Sequence, residues 1–135
     1  MTKIAFIFPG QGAQYPGMGK DFFENRIAAK EVFQQADELL KENFSKKIFE
    51  GTSEELSQTN VSQLAIYIMS TALHRAMLAE VGPITPDVIG GLSLGEYTAL
   101  TASGRLSFEE GLKLVEARGR FMHEASQQNP GTLAV

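Results

Sequence analysis

The sequence predicts an α/β fold of parallel strands flanked by helices, and three observations carry that prediction. Two short runs, residues 4–8 and 88–89, are continuously apolar and rich in branched and aromatic side chains, as strands buried in a parallel sheet are. The first stops at Pro9-Gly10 and the second leads into Gly91, both turn signals. Segments with apolar residues at i, i+3 and i+4 follow each run, and strands alternating with such segments mark the α/β class.

The elements follow in order. Ile4 to Phe8 form the first predicted strand, and residues 10–19 form a glycine-rich loop. Residues 20–40 have a helical pattern with Ile27, Val32, Phe33, Ala36, Leu39 and Leu40 on the apolar side. Thr52 and Glu55 have capping-box spacing and predict a short helix. Asn60 is the expected N-cap of a long helix ending near Val81. Its stripe is Val61, Leu64, Ala65, Ile68, Ala72, Ala76 and Ala79, widened by Ile66 and Met69, and Gly82-Pro83 stops it. Val88 and Ile89 make the second strand, and residues 95–102 a helix closed by Ser103-Gly104. Ser107 and Glu110 form another capping box, opening a helix to about Gln127. Residues 131–135 begin a further strand-like run. A chain that stops inside such a run leaves backbone groups unpaired, so we expect an incomplete domain whose open sheet edge self-associates.

Composition excludes several functions. With 135 residues, 43% of them hydrophobic, the chain can bury a core. A net charge of −4 with scattered basic residues speaks against nucleic acid as a partner and against an anionic membrane surface. The absence of cysteine rules out disulfides and thiolate zinc sites. His74 and His123 lie far apart, so metal catalysis is not expected, a carboxylate site being the one alternative left open. No secretory signal opens the sequence. The apolar stretch at residues 64–78 is interrupted by Ser70, Thr71, His74 and Arg75, and reads as too short and polar to span a bilayer. The expected location is the cytoplasm.

Gly91-Leu92-Ser93-Leu94-Gly95 matches the G-x-S-x-G elbow between a strand and a helix. The glycines would let backbones pass closely while Ser93 sits at a strained turn, facing free N–H groups of the helix start. A turn whose serine merely caps the helix fits the same pattern. The loop Pro9-Gly10-Gln11-Gly12 is no dinucleotide fingerprint, since Tyr15 stands where the third glycine belongs. Nor is it a P-loop, because Met18 replaces the lysine. It could instead offer a backbone N–H to the serine, or be a plain tight turn. Arg118 flanks the stripe of Gly111, Leu112, Val115, Gly119 and Met122. Its fork suits a carboxylate, although on the residues alone an edge arginine reaching water is the favoured reading. Neither histidine is spaced as a base for Ser93. In α/β-hydrolases the histidine follows the serine, so the base is expected beyond Val135.

Taken together, Ile4-Ala5-Phe6-Ile7-Phe8-Pro9-Gly10-Gln11-Gly12, Met18-Gly19, Gly91-Leu92-Ser93-Leu94-Gly95-Glu96-Tyr97 and Val115-Glu116-Ala117-Arg118-Gly119 resemble the malonyl-CoA:acyl carrier protein transacylase family, in order along the chain. The resemblance implies a hydrolase-like core over residues 1–128 and the start of a ferredoxin-like subdomain over residues 129–135. It implies that Ser93 takes malonyl from malonyl-CoA and passes it to the phosphopantetheine thiol of acyl carrier protein in a ping-pong cycle of fatty acid biosynthesis. The Gln11 and Leu94 N–H groups would form the oxyanion hole, and Arg118 would hold the malonyl carboxylate. Malonyl-CoA is then a substrate, and no cofactor is implied. The sequence departs from the family at Leu92, where histidine is common, and in being shorter. Rival readings are an acyltransferase module of a polyketide synthase, which the short N-terminus disfavours, a non-catalytic fragment that binds acyl carrier protein, and a simple esterase, in which an inward arginine has no purpose.

Overall fold

A computed structural model describes residues 2–131. Two strands, β1 (Ala5–Phe8) and β2 (Val88–Gly91), pair in parallel with Ala5 opposite Val88 and Phe8 opposite Gly91. Between them run α1 (Lys20–Asn25), α2 (Ile27–Leu40), α3 (Phe44–Glu50), α4 (Ser53–Ser57) and α5 (Thr59–Val81). After β2 come α6 (Gly95–Ala102) and α7 (Phe108–Gln128). The mixed α/β class expected from the apolar runs is the one found.

The long α5 is the spine, packed against α2 and α7, while α6 lies on both strands. As expected, α5 is buried on much of its surface, polar Ser62, Gln63 and Thr71 included. At 23 residues and a mean hydropathy of 1.2 it is long and apolar enough to cross a membrane by length and composition, which corrects the sequence expectation. The expectation considered a shorter stretch; here the helix serves as the core of the helical layer.

Both capping boxes form. Thr52 and Ser107 accept from the Glu55 and Glu110 backbone N–H groups, and each glutamate accepts from the cap's own N–H at 2.8 Å. Burial plays little part here: those hydrogen bonds are what pull both carboxyls below their ordinary pKa.

Four expectations need correction. The helical pattern over residues 20–40 is broken at Arg26, whose extended backbone (φ −133°, ψ 113°) ends α1 and starts α2. The bend lets Phe22 and Phe23 of α1 join the cluster that α2 covers with Val32 and Phe33, and it leaves Ile27 79% exposed. A helix at α3 escaped the reading; Asn43 caps it by accepting from the Lys46 N–H at 3.1 Å. Asn60 does not cap α5, which starts one residue earlier behind Gln58; the Gln58 carbonyl takes the Val61 and Ser62 N–H groups, so the backbone itself makes the first turn. Finally, β1 is not buried on both faces: Phe8 is buried but Ile7 is 70% exposed, because among the described residues nothing packs over the face that Ala5, Ile7 and Val88 share. The strand-like run expected at residues 131–135 falls, but for Gly131, outside the described residues.

Candidate active site

β2 ends at Gly91, the chain turns through Leu92, Ser93 and Leu94, and α6 starts at Gly95. Ser93 is left-handed (φ 55°), a conformation that a residue with a Cβ holds only when its surroundings impose it. The surroundings do so by close approach. A Cβ on Gly91 would collide with the Gly95 backbone, and one on Gly95 would lie 2.8 Å from the Pro9 carbonyl oxygen and nearer still to that of Phe8. Leu94 is fully buried and pins the turn from below, while Ser93 stays exposed. The strained elbow expected from the five-residue pattern is therefore present.

The glycine-rich loop lies against it. A Cβ at Gly10 would stand 2.7 Å from the Leu92 carbonyl oxygen, which brings Gln11 next to the elbow. Among the described residues the backbone N–H groups of Gln11 and Leu94 make no hydrogen bond. The Gln11 side chain reaches Thr59 Oγ1 at 3.4 Å.

Arg118 closes the site from α7. Its Nη2 donates to Ser93 Oγ at 2.8 Å and its Nη1 to Gln63 Oε1 at 2.6 Å. The guanidinium carbon lies 5.8 Å from the Tyr97 ring centroid, within the range of a cation–π contact. The alternative of an edge arginine spending its charge on water does not describe this head group. Two glycines set the approach. Gly111 makes room for the Tyr67 hydroxyl, and a Cβ at Gly119 would be 3.1 Å from the Asn60 Cα, so α7 runs tight against the start of α5. Met122, expected on the inward stripe, is 41% exposed, since α7 outruns the core past Gly119.

Gln63 was missed by the sequence reading. It is fully buried on α5 and its Nε2 donates to Met122 Sδ at 3.2 Å. The available signal is a long amide on the far side of a helix expected to be buried on much of its surface, where it needs partners. Neither histidine meets Ser93. His74 packs edge-on against the Phe6 and Phe8 rings, at 5.4 and 5.8 Å between centroids; burial first, then Arg75, lowers its pKa. His123 lies beyond Arg118 on α7, its carbonyl accepting from Ser126. A larger apolar groove of about 700 Å³ lies between β1, α1 and α5, lined by Phe6, Phe8, Phe22 and Met69 among others; Ser93 is not part of its wall. The elbow thus brings together an exposed serine, two amides without hydrogen-bond partners among the described residues, and an arginine, a side chain whose fork suits carboxylates.

The acyl transferase domain family matches residues 5–135, so the chain belongs to that family. Its relatives narrow the class, as the motif resemblance implied. A malonyl CoA-acyl carrier protein transacylase of Bacillus subtilis is 48% identical over 134 residues, 99% of this chain and 42% of the relative. The crystal structure of a protein of the same name from Clostridium perfringens superposes with a TM-score of 0.83 at 44% identity, over 92% of this chain and 39% of that one. A malonyl-transacylase solved in complex with a type II PKS acyl-carrier protein superposes with a TM-score of 0.85 at 35% identity, covering 92% and 40%. The chain thus spans about two fifths of the length of the relatives it matches.

Proposed function

We propose that this chain supplies the nucleophile and the carboxylate-binding arginine of a malonyl transferase acting between malonyl-CoA and acyl carrier protein, in the cytoplasm. The observation that carries the reading is the 2.8 Å contact of Arg118 Nη2 with Ser93 Oγ. It supports a carboxylate-binding role for Arg118, since the guanidinium lies against the oxygen that would carry the acyl group.

In this reading Ser93 Oγ attacks the thioester carbonyl, and its proton passes to a general base. The tetrahedral oxyanion is held by the Gln11 and Leu94 N–H groups, each such donor being worth about 10²–10³ in rate. Collapse breaks the C–S bond, the proton goes to the departing CoA sulfur, and malonyl-Ser93 remains. The phosphopantetheine thiol of acyl carrier protein then attacks that ester and Ser93 regains its proton. Arg118 holds the free malonyl carboxylate throughout, and no cofactor enters. Among the described residues no histidine or carboxylate hydrogen-bonds Ser93, so the base belongs to further polypeptide. We assign residues 1–128 to a hydrolase-like core and residues 129–135 to the start of a ferredoxin-like subdomain. The exposed Ile7 and Val88 on the strand pair support a sheet meant to be extended; copies of the isolated chain would associate there, and a monomer by light scattering would refute that.

The test is intact-mass analysis after incubating the complete protein with malonyl-CoA. One malonyl adduct on Ser93, absent from Ser93→Ala, is expected; an adduct persisting in that variant sinks the proposal.

A further inference from the structure

We infer that Gln63 is the positioning residue that sets Arg118 for its carboxylate, and so governs preference for malonyl over uncharged acyl groups; this rests on the function proposed above. Gln63 is fully buried on α5, where an amide persists only with both ends satisfied. Both are. The oxygen takes Arg118 Nη1 at 2.6 Å and the nitrogen gives a hydrogen bond to Met122 Sδ at 3.2 Å. The orientation of the amide is forced: turned over, it would set its own N–H against the guanidinium N–H and waste the acceptor.

The consequence lies in which face of the fork remains available. With Nη1 held by Gln63 and the plane of the group resting near Tyr97, Nη2 points at Ser93 Oγ. A neutral acceptor fixes this geometry without cancelling the charge. A carboxylate at position 63 would make the same hydrogen bond but form an ion pair, leaving less attraction for an incoming anion. The approach of α7 to α5 at Gly119, one residue from Arg118, delivers the head group to Gln63. Residues on α5, α6 and α7 therefore meet at one guanidinium.

The experiment compares kcat/KM for malonyl-CoA and acetyl-CoA in the complete protein carrying Gln63→Glu, Gln63→Leu or Arg118→Ala, with thermal melts confirming folding. Gln63→Glu keeps the size and the hydrogen bond from Arg118 while giving up the weak one to Met122 Sδ, so a packing role alone would leave the ratio between the two substrates unaffected. The expected result is a loss on the order of 10–10² for malonyl transfer, because the new carboxylate competes with the malonyl carboxylate for the guanidinium, with acetyl transfer nearly unchanged. Gln63→Leu should show the same split. Equal losses for both substrates, or none, with Gln63→Glu would overturn the inference, even if Arg118→Ala shows the split and so leaves the proposed function standing. If Arg118→Ala fails to split the substrates, the carboxylate clamp itself is wrong and the role of Gln63 falls with it.

Discussion

Phe33 and Ile7 are both large apolar residues in the middle of their elements, yet their surroundings differ. Phe33 on α2 is fully buried, with the Phe23 and Phe49 rings 5.8 and 5.1 Å away. Ile7 on β1 is mostly exposed. The helical layer closes on itself within the described residues: α5 is covered by α2 and α7. The sheet does not close. Ser93 nevertheless rides on the open sheet, at the end of β2. Its geometry is held less by the sheet than by backbone-to-backbone contacts at Gly91, Gly95 and Gly10 and by the arginine reaching over from the closed layer. A strained turn can thus be defined by close steric constraint while the strands that carry it leave one face open among the described residues.

That contrast can be broken at several points. The largest effect is expected in the closed layer, where Leu112→Ala on the buried face of α7 should cost about 2–5 kcal/mol in urea unfolding; a loss below 1 kcal/mol, on the scale of exposed positions, would mean the layer is loosely packed. Next comes the elbow. Gly91→Ala forces a Cβ into the Gly95 backbone and should destabilise by roughly 1–3 kcal/mol while abolishing malonyl labelling of Ser93 in the complete protein. Retained labelling would show that the turn can relax. Ser107→Ala removes one half of a capping box and should cost about 1 kcal/mol, read from the same unfolding curves. On the open sheet, Ile7→Thr keeps a β-branched side chain and should change the isolated chain by less than about 0.5 kcal/mol; a larger loss would show that this face is covered in solution.

The smallest effects are those of pH. Glu55 and Glu110 have carboxyls held below the ordinary 4.5 by their cap hydrogen bonds. Their contribution is present above pH 4.5 and is lost as acid titrates the folded carboxyls. His74 has its pKa depressed from 6.5 by burial and by Arg75. The unfolded chain therefore binds that proton first, and stability should begin to fall as pH drops below 6.5. Unfolding midpoints of His74→Phe should lose the slope just below pH 6.5, and those of Glu110→Gln part of the slope below pH 4.5. Unchanged slopes would remove these groups from the account.

Much of this was legible because it is local. The elbow motif and both capping boxes each lie within five consecutive residues, so glycine spacing and hydrogen bonds across a single helical turn announce them, although the contacts of Gly10 and Pro9 that hold the elbow come from the end of β1. Boundaries that depend on packing were not legible. Nothing local to Arg26 announces the break between α1 and α2; the burial of Phe22 and Phe23 against Phe33 and Phe49 requires it. Asn60 is a good cap by type, but the chain arrives with Gln58 extended and the backbone turns earlier.

By itself the sequence determined the α/β class, the strained serine, the glycines around it and the family that those motifs resemble, since each rests on residue types at short spacing. Only the tertiary structure decided where Arg118 spends its charge. Ser93, Gln63 and Arg118 come from a turn and two different helices, 25 and 55 residues from the arginine. Their meeting depends on how closely α7 can lie against α5, and that distance is set by small residues packing across the interface, which spacing within one chain segment does not encode.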